Sequence, residues 1–265
     1  MSPESTSTAK KLDFSGRRAL VTGAASGIGR ATARWLDEAG VAGLILVDVD
    51  AAGLAAVDLS CEVRRVVGDV GDTGLWERIE AETSRLDHAV LNAGVPPAGL
   101  SVADTSAEQW RRVLGTNLDG AFHGLRCALR LMRGRGGSIV LTSSVAGIRP
   151  MEGTADYGAA KAALIQLAKV AALENAADGI RVNTVVPGSV NSGIREAGRD
   201  AAEIGVEPRI RVPGRPADEL AAEIGFWIDH GASHLSFSTM DAGLRSVAEH
   251  LRHLESALST VSRGG

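Results

Sequence analysis

Short apolar runs alternate with longer helical patterns along the chain as far as about residue 190. Several of these runs are apolar at successive positions, which is typical of strands covered by helices on both faces. The predicted strands are residues 18–22, 43–48, 64–68, 86–91, 138–142 and 180–186. Because strands alternate with helices, the pattern predicts an α/β fold with a doubly wound parallel sheet in a single domain.

The clearest helical pattern covers residues 106–132, and a second long helix is predicted over residues 155–177. In the first of these, apolar residues recur three or four positions apart, as one face of a helix requires. They are Trp110, Val113, Leu114, Leu118, Phe122, Leu125 and Leu129. Ser106 precedes this pattern and is the predicted N-cap.

Four segments lie outside the alternation. Residues 1–13 are polar and are predicted to form a disordered tail. Residues 188–216 are rich in Gly, Pro, Arg and Ser and are far longer than a typical loop, which predicts a substrate loop. A helix over 217–230 and a strand over 235–239 then complete one domain, 14–243. Residues 244–265 are predicted to be a helical extension that either packs on this domain or contacts a subunit or the pocket.

Composition and charge exclude several classes of protein. Apolar residues make up 45% of the chain, which is enough for a sizeable core. The net charge is −4 and no long basic run occurs, so neither a nucleic acid nor a membrane surface is an expected partner. The two cysteines match no metal-ligand spacing, and His230 and His234 are separated by a predicted helix end, so no metal site is expected. Without a signal-like or membrane-spanning apolar run, a cytoplasmic location is expected.

A glycine-rich loop joins the first predicted strand to the first predicted helix. Gly23, Gly27 and Gly29 fall in this loop, with Ser26 and Ile28 between them. Glycines at such a place let backbone N–H groups and a helix N-terminus approach a pyrophosphate. Asp48 follows at the end of the second strand, where dinucleotide folds place the acid that binds the adenine ribose. Its charge would repel a 2′-phosphate, which favours NAD over NADP.

The TGxxxGxG spacing of this loop resembles the short-chain dehydrogenase/reductase family, as do further motifs between about residues 14 and 243. The chain contains an Asn-Ala-Gly motif after the fourth strand, serines after the fifth strand, a YxxxK pair and a PGxVxS segment. The resemblance implies a catalytic set of Asn117, Ser144, Tyr157 and Lys161. It implies, together with the loop above, a cofactor site of Gly23, Ser26, Gly27, Ile28, Gly29, Asp48, Asp69, Val70, Asn92, Ala93, Gly94, Tyr157, Lys161, Pro187, Gly188, Val190 and Ser192.

The YxxxK pair also has a physical rationale. Tyr157 and Lys161 are four residues apart, so they are neighbours on one helix face. An ammonium about 4 Å from a phenol contributes on the order of 4 kcal/mol at an effective dielectric near 20, which would lower the phenol pKa to about 7. Tyr157 is the single tyrosine of the chain. We therefore predict that Tyr157 transfers the proton and that Lys161 tunes its pKa.

The resemblance assigns roles to the rest of the set and leaves the substrate open. Ser144 would donate to the substrate oxygen, and Asn117 would support a water that connects Lys161 to solvent, although an asparagine in a helix more often satisfies local backbone groups. Leu91 replaces the first asparagine of the family's NNAG motif, which removes a structural hydrogen bond. Homo-oligomers through the two long helices, commonly tetramers, are also implied.

The predicted pocket is mostly apolar and favours a hydrophobic secondary alcohol or ketone. The predicted substrate contacts are Ser144, Val145, Arg149, Met151 and Tyr157, with Val95, Pro96 and Ile148 as further pocket residues. Alternatives within the enzyme class are a 3-oxoacyl thioester reductase, a hydroxysteroid-like dehydrogenase and a dihydrodiol or polyol dehydrogenase. An alternative from another class is a dinucleotide-binding regulator without turnover.

Overall fold

The computed structural model describes residues 14–188. Six parallel strands form one sheet in the order β3-β2-β1-β4-β5-β6. The strands are β1 Arg18–Thr22, β2 Gly43–Asp48, β3 Glu62–Val67, β4 His88–Leu91, β5 Gly137–Thr142 and β6 Ile180–Val185. The helices are α1 Gly27–Glu38, α2 Ala51–Ala55, α3 Thr73–Ala81, α4 Ala107–Leu114, α5 Gly120–Met132 and α6 Ala155–Asn175. The predicted Rossmann-type sheet is confirmed.

Both faces of the sheet are covered, as the apolar strands predict. Successive residues of a strand point to opposite faces, and Leu20 accordingly lies in one core while Ala19 and Val21 lie in the other. The first core includes apolar side chains from α3, α5 and α6, and the second includes those from α1 and α2. The strand order reverses between β1 and β4, so a crevice opens at the carboxyl ends of these two strands.

The long helix predicted over residues 106–132 is interrupted. It begins with the predicted cap, because Ser106 Oγ accepts from Gln109 N and the Gln109 side chain accepts from Ser106 N. A π-helical turn at Gly115–Asp119 then separates α4 from α5. Insertions of this kind cluster at functional sites, and Asn117 lies inside the turn.

Several predictions lie outside the described residues. These are the tail 1–13, nearly all of the substrate loop 188–216, and everything predicted for residues 217–265, including His230 and His234. The division of the chain into these domains stays a prediction. Within residues 14–188, no helix is both long enough and apolar enough to cross a membrane.

Candidate active site

A cleft with a volume of about 610 Å³ lies at the carboxyl ends of the strands, where the strand order reverses. It brings together most of the residues that the sequence predicted for the site. Those that line it are Gly23, Ser26, Gly27, Ile28, Asp48, Asp69, Val70, Asn92, Ala93, Gly94, Ser144, Val145, Met151, Tyr157, Lys161, Pro187 and Gly188. Residues far apart in sequence therefore line one cleft.

A ligand can approach the backbone of the glycine-rich loop closely, because its glycines have no side chains. Gly23 and Gly27 have φ of 66° and 51°, in the left-handed region that favours glycine. Gly29 does not line the cleft: a Cβ on Gly29 would overlap the carbonyl of Gly23, so its role is to pack α1 against the loop. The N-terminus of α1, at Gly27, therefore points its unpaired N–H groups into the cleft.

Asp48 both lines the cleft and holds the loop. Its Oδ2 accepts from Ala25 N at 2.9 Å, and its Oδ1 accepts from Asp50 N at 3.0 Å. Asp50, rather than Asp48, caps α2 by accepting from Gly53 N at 2.9 Å. Each carboxylate oxygen of Asp48 retains lone pairs for a further donor such as a ribose hydroxyl.

The segment after β4 is held from the side of β1. Thr22 Oγ1 accepts from Asn92 N at 2.9 Å and from Ala93 N at 3.0 Å. Leu91, which replaces an asparagine of the family motif, is buried in the core instead of reaching a polar partner. The backbone of Asn92 and Ala93 is therefore fixed at the cleft without a second asparagine.

Asn117 is fully buried and lies behind the cleft rather than in its lining. Its Nδ2 donates to Val95 O and Val113 O, both at 3.0 Å, and its Oδ1 accepts from Val95 N at 3.3 Å. A side chain that takes up backbone groups in this way competes with regular helical bonding, which accounts for the π-helical turn. A Cβ placed on Gly94 would lie 2.5 Å from Asn117 Oδ1 and 3.6 Å from Lys161 Nζ, so both side chains pack around Gly94.

Two glycines let the turn that carries Ser144 approach α6. Ser144 Oγ accepts from Ala146 N at 3.2 Å and starts a short 3-10 helix, Val145–Gly147. A Cβ on Gly147 would lie 2.7 Å from the carbonyl carbon of Lys161, and one on Gly158 would lie 2.9 Å from Ala146 O. Only glycine permits this approach, which brings Ser144 to the same place as Tyr157.

Lys161 is buried beside Tyr157. Its side chain is 3% exposed, its Nζ donates to Thr142 O at 2.7 Å, and its Nζ lies 5.5 Å from the centroid of the Tyr157 ring. Burial lowers the pKa of Lys161 to about 8 because a desolvated ammonium is disfavoured. A desolvated amino group is thus placed beside the Tyr157 ring.

The prediction that the pKa of Tyr157 is lowered is wrong for the protein without a bound cofactor. Burial raises the pKa of Tyr157 above its ordinary value, and a hydrogen bond with Ser144 opposes this only in part. The predicted decrease in the phenol pKa requires an ammonium about 4 Å from the phenol at an effective dielectric near 20. Instead, Lys161 is directed at Thr142 O, and both groups of the pair are desolvated.

Arg149, a predicted substrate contact, does not line the cleft formed by residues 14–188, and its contact with a substrate stays a prediction. The 3-10 turn is closed by Arg149 N, which donates to Val145 O at 2.9 Å. The chain thereby turns outward, and Ile148 beside it is exposed. Pro97 replaces the predicted Pro96 in the lining, and Val190 and Ser192 lie outside the described residues.

Sequence reasoning missed several lining residues. They are Val49, Gly68, Pro97, Arg112, Thr116, Thr142, Ser143, Ala146 and Thr154. Neighbours of predicted residues, such as Ser143, could have been included from their position at a strand end. Arg112 could not, because nothing in a helical pattern shows which polar residue faces a cleft. Among residues 14–188, no cluster of three metal-ligating side chains occurs.

The cleft fits a dinucleotide. A Cβ on Gly23 would lie 3.0 Å from both the Ala93 Cα and the Asn92 Nδ2, so the glycine is required where the two loops meet. The helix N-terminus, the carboxylate of Asp48 and the buried cation of Lys161 supply groups that suit a pyrophosphate, ribose hydroxyls and a second ribose, respectively. The fold and the cleft together define a dinucleotide-binding oxidoreductase.

Comparisons with known proteins agree. A model of the short chain dehydrogenase family matches residues 17–203. Levodione reductase from Leifsonia aquatica is 35% identical over 246 residues, which cover 84% of this chain and 91% of the relative. Cis-4-hydroxycyclohexanecarboxylate dehydrogenase from Sinomonas cyclohexanicum is 37% identical over 257 residues, or 88% of this chain and 98% of that one.

Solved structures give the same result. The crystal structure of levodione reductase matches with a TM-score of 0.67, covering 69% of this chain and 76% of that chain. The structure of NAD⁺-bound xylitol dehydrogenase matches with a TM-score of 0.63 and 35% identity, covering 66% and 71%. The chain belongs to the short chain dehydrogenase family and is an oxidoreductase that interconverts alcohol and ketone groups.

Proposed function

We propose that this enzyme is an NAD-dependent dehydrogenase of hydrophobic secondary alcohols, or the reductase of the matching ketones. The observation that carries the proposal is the cleft itself. Ser144, Tyr157 and Lys161 meet at one part of it, and apolar side chains lie beside them, namely Val95, Pro97, Val145 and Met151. Such a surface favours a substrate with little hydrogen-bonding capacity, since polar groups bound there would lose water without compensation.

In the proposed mechanism, each member of the catalytic set has a separate role. Ser144 donates to the substrate oxygen and orients it toward the Tyr157 phenol. In the oxidative direction Tyr157 accepts the hydroxyl proton, and in the reductive direction it gives that proton to the ketone oxygen. NAD, when bound, would supply the acceptor for the hydride of the carbinol carbon. Lys161 would hold the nicotinamide ribose and supply a cation behind the phenol, while Asn117 fixes the backbone around Gly94.

The preference for NAD is proposed from the charge at the end of β2. A carboxylate at Asp48 binds ribose hydroxyls and repels a 2′-phosphate. Arg112 also lines the cleft and has no ion-pair partner within residues 14–188, but it lies on α4 rather than on the loop that contains Asp48. We therefore assign the discrimination to Asp48.

The wild-type enzyme is expected to use NAD with a catalytic efficiency at least about tenfold above that with NADP, a difference of some 1.4 kcal/mol. Asp48→Asn removes the charge and is expected to reduce this ratio about tenfold. Initial rates with both cofactors measure it. Asp50→Asn, two residues away and outside the cleft, is the matched control and should leave the ratio unchanged. A wild-type preference for NADP would refute the assignment.

The substrate proposal is tested by initial rates with NAD and NADP on a panel of cyclic and aliphatic alcohols, steroids, polyols and acyl thioesters. Turnover of hydrophobic cyclic or aliphatic alcohols supports it. Efficient turnover of polyols or of acyl thioesters alone would replace it with the corresponding alternative. Tight NADH binding without turnover of any member would favour the regulator.

We also propose a homo-oligomer, more often tetrameric than dimeric in this family. Support comes from apolar side chains that the monomer leaves exposed on the long helices: Trp110, Phe122, Val170 and Leu173. Leu173, on α6, is 81% exposed, and exposed apolar patches of this kind mark interaction sites. The two cysteines described, Cys61 and Cys127, are both unpaired, which suits the reducing cytoplasm that we propose as its location.

Replacing Leu173 by Glu is expected to lower the molecular mass in solution, because a buried carboxylate opposes association. Light scattering coupled to size-exclusion chromatography measures this mass. Lys169→Gln, on the same helix one turn earlier, changes the net charge by the same one unit and controls for a charge change alone. If the wild-type enzyme elutes as a monomer, the proposed assembly is wrong.

A further inference from the structure

A buried carboxylate stands immediately before the proposed catalytic tyrosine. Asp156 lies in the first turn of α6 and is 1% exposed. Within residues 14–188 it has no cationic partner. Carboxylates are seldom buried without a partner, because an unpaired charge loses its hydration. The compensation must therefore come from hydrogen bonds.

Both oxygens of this carboxylate accept from backbone N–H groups. Oδ1 accepts from Tyr157 N at 2.7 Å, and Oδ2 accepts from Ala98 N at 3.0 Å. The position near a helix N-terminus stabilises the charge further. The residue at the usual capping position, Thr154, makes no side-chain cap and donates its hydroxyl to Met151 O at 2.7 Å instead. Asp156 thus joins two segments 58 residues apart in sequence.

Ala98 belongs to the segment that forms one wall of the cleft. Val95 and Pro97 of this segment line the same cleft as Tyr157 and Met151. Thr22 holds the segment at residues 92 and 93, and Asn117 holds it at Val95. Beyond Val95 the bond to Asp156 is the next anchor. It is also the one that ties the wall to the helix carrying the phenol.

The backbones of the two segments are in contact at this place. Gly153 has φ of 73°, and a Cβ on it would lie 3.3 to 3.5 Å from backbone atoms of Gly99. The wall and the start of α6 are therefore packed closely, and the carboxylate spans the junction. Its charge makes both hydrogen bonds stronger than those of a neutral acceptor.

We propose that Asp156 is a positioning residue for substrate binding: its carboxylate fixes the wall at Ala98 relative to the start of the helix that carries Tyr157. The bonds of Lys161 to Thr142 O and of Ala146 N to Ser144 Oγ do not involve Asp156, so the two side chains beside the Tyr157 phenol stay in place. Loss of the carboxylate therefore loosens the substrate side of the cleft and leaves the glycine-rich side intact. The inference rests on the proposed role of the cleft in binding a substrate.

The test compares Asp156→Ala and Asp156→Asn with the wild-type enzyme. Alanine removes both acceptors, whereas asparagine keeps one, because its amide NH₂ group cannot accept from an N–H donor. With NADH bound, hydrogen–deuterium exchange of peptides covering residues 92–105 is expected to accelerate at least about fivefold in the alanine variant. The KM for the alcohol should rise about tenfold, with kcat and the Kd of NADH within about twofold. In the asparagine variant, the exchange rate and the KM should lie between those of the wild-type enzyme and those of the alanine variant.

Asp87→Asn is the matched control. Asp87 is also buried, at 9% exposure, and its carboxylate also accepts from a distant backbone N–H, that of Arg18, at 2.9 Å. It lies at the amino end of β4, away from the cleft, so its replacement lowers stability without changing KM or exchange at residues 92–105. If the alanine variant does not fold, the asparagine variant carries the same comparison.

Two results would overturn the inference. Unchanged exchange at residues 92–105 in the Asp156 variants would show that the carboxylate does not hold the wall. Faster exchange with an unchanged KM would show that the wall does not position the substrate. Failure of the proposed function is seen separately, as absent turnover in the wild-type enzyme, and the exchange measurement then still decides whether Asp156 holds this segment.

Discussion

Tyr157→Phe is expected to lower kcat at least about a hundredfold, because general acid–base catalysis by a positioned side chain contributes roughly that much or more. The variant keeps the ring and loses the hydroxyl alone. Ring packing beside Lys161 is therefore retained, and the Kd of NADH should stay within about threefold. Initial rates and NADH titration measure the two quantities. An enzyme that keeps its kcat would show that another group transfers the proton.

The single tyrosine allows the same group to be titrated directly. In the protein without cofactor, burial holds the pKa of Tyr157 above its ordinary value of 10, so the phenol stays protonated at neutral pH. Oxidation of an alcohol needs the phenolate as base, so the phenol pKa must fall when the cofactor is bound. Ultraviolet difference spectra at increasing pH report the phenolate, and an apparent pKa that stays near 10 with NAD bound would contradict this role.

Much of the fold was predictable because local signals and burial agreed. The bounds of β1 and β2 are those predicted, since apolar runs in a sheet covered on both faces are limited at each end by polar residues or glycine. β4 starts two residues later than predicted: Leu86 is buried, but pairing with β1 begins at His88, opposite Ala19. Apolarity therefore locates a strand better than it locates the first residue of its register with the neighbouring strand.

The site was predictable where chemistry restricts the residue type. A phenol, a lysine and glycines with positive φ have few substitutes, so Tyr157, Lys161 and Gly23 could be identified from spacing. The pKa of the phenol could not, because it depends on desolvation, which is a property of the packed structure. The π-helical turn was also missed, since the apolar periodicity of residues 106–132 is continuous while the bonds of Asn117 to Val95 and Val113 are tertiary.

Arg149 and Asp156 both show that sequence patterns do not predict where a charged side chain lies in the folded protein. Arg149, next to the predicted pocket residue Ile148, was assigned to the pocket, although it follows the 3-10 turn at Val145–Gly147 and does not line the cleft of the described residues. Asp156 was not singled out, because an acid in the first turn of a helix is ordinary in sequence. Only the bond to Ala98 distinguishes it. Residues that act by joining distant segments are thus the ones that sequence patterns show least.

Replacement of Lys161 by Met is expected to remove turnover and to stabilise the fold at neutral pH. Methionine has nearly the same length, is a good helix former and needs no hydration. Burial lowers the pKa of Lys161 from 10.5 to about 8, so the buried ammonium disfavours folding by about 3 kcal/mol at pH 7. Loss of the charge-assisted bond to Thr142 O offsets at least about 1.5 kcal/mol of this. A net gain of up to about 1.5 kcal/mol in the free energy of unfolding follows.

The pH dependence of that gain identifies its origin. Because the folded-state pKa is lower than the unfolded one, the unfolded wild-type chain binds more protons than the folded chain between about pH 8 and 10.5, and stability rises with pH through this group. The advantage of Lys161→Met is therefore constant below about pH 8 and shrinks above it. Denaturant unfolding at a series of pH values measures the difference, and Lys169→Met, on the exposed side of the same helix, should show neither the gain nor its loss. An advantage that does not change with pH would mean that the lysine is not desolvated in the folded protein.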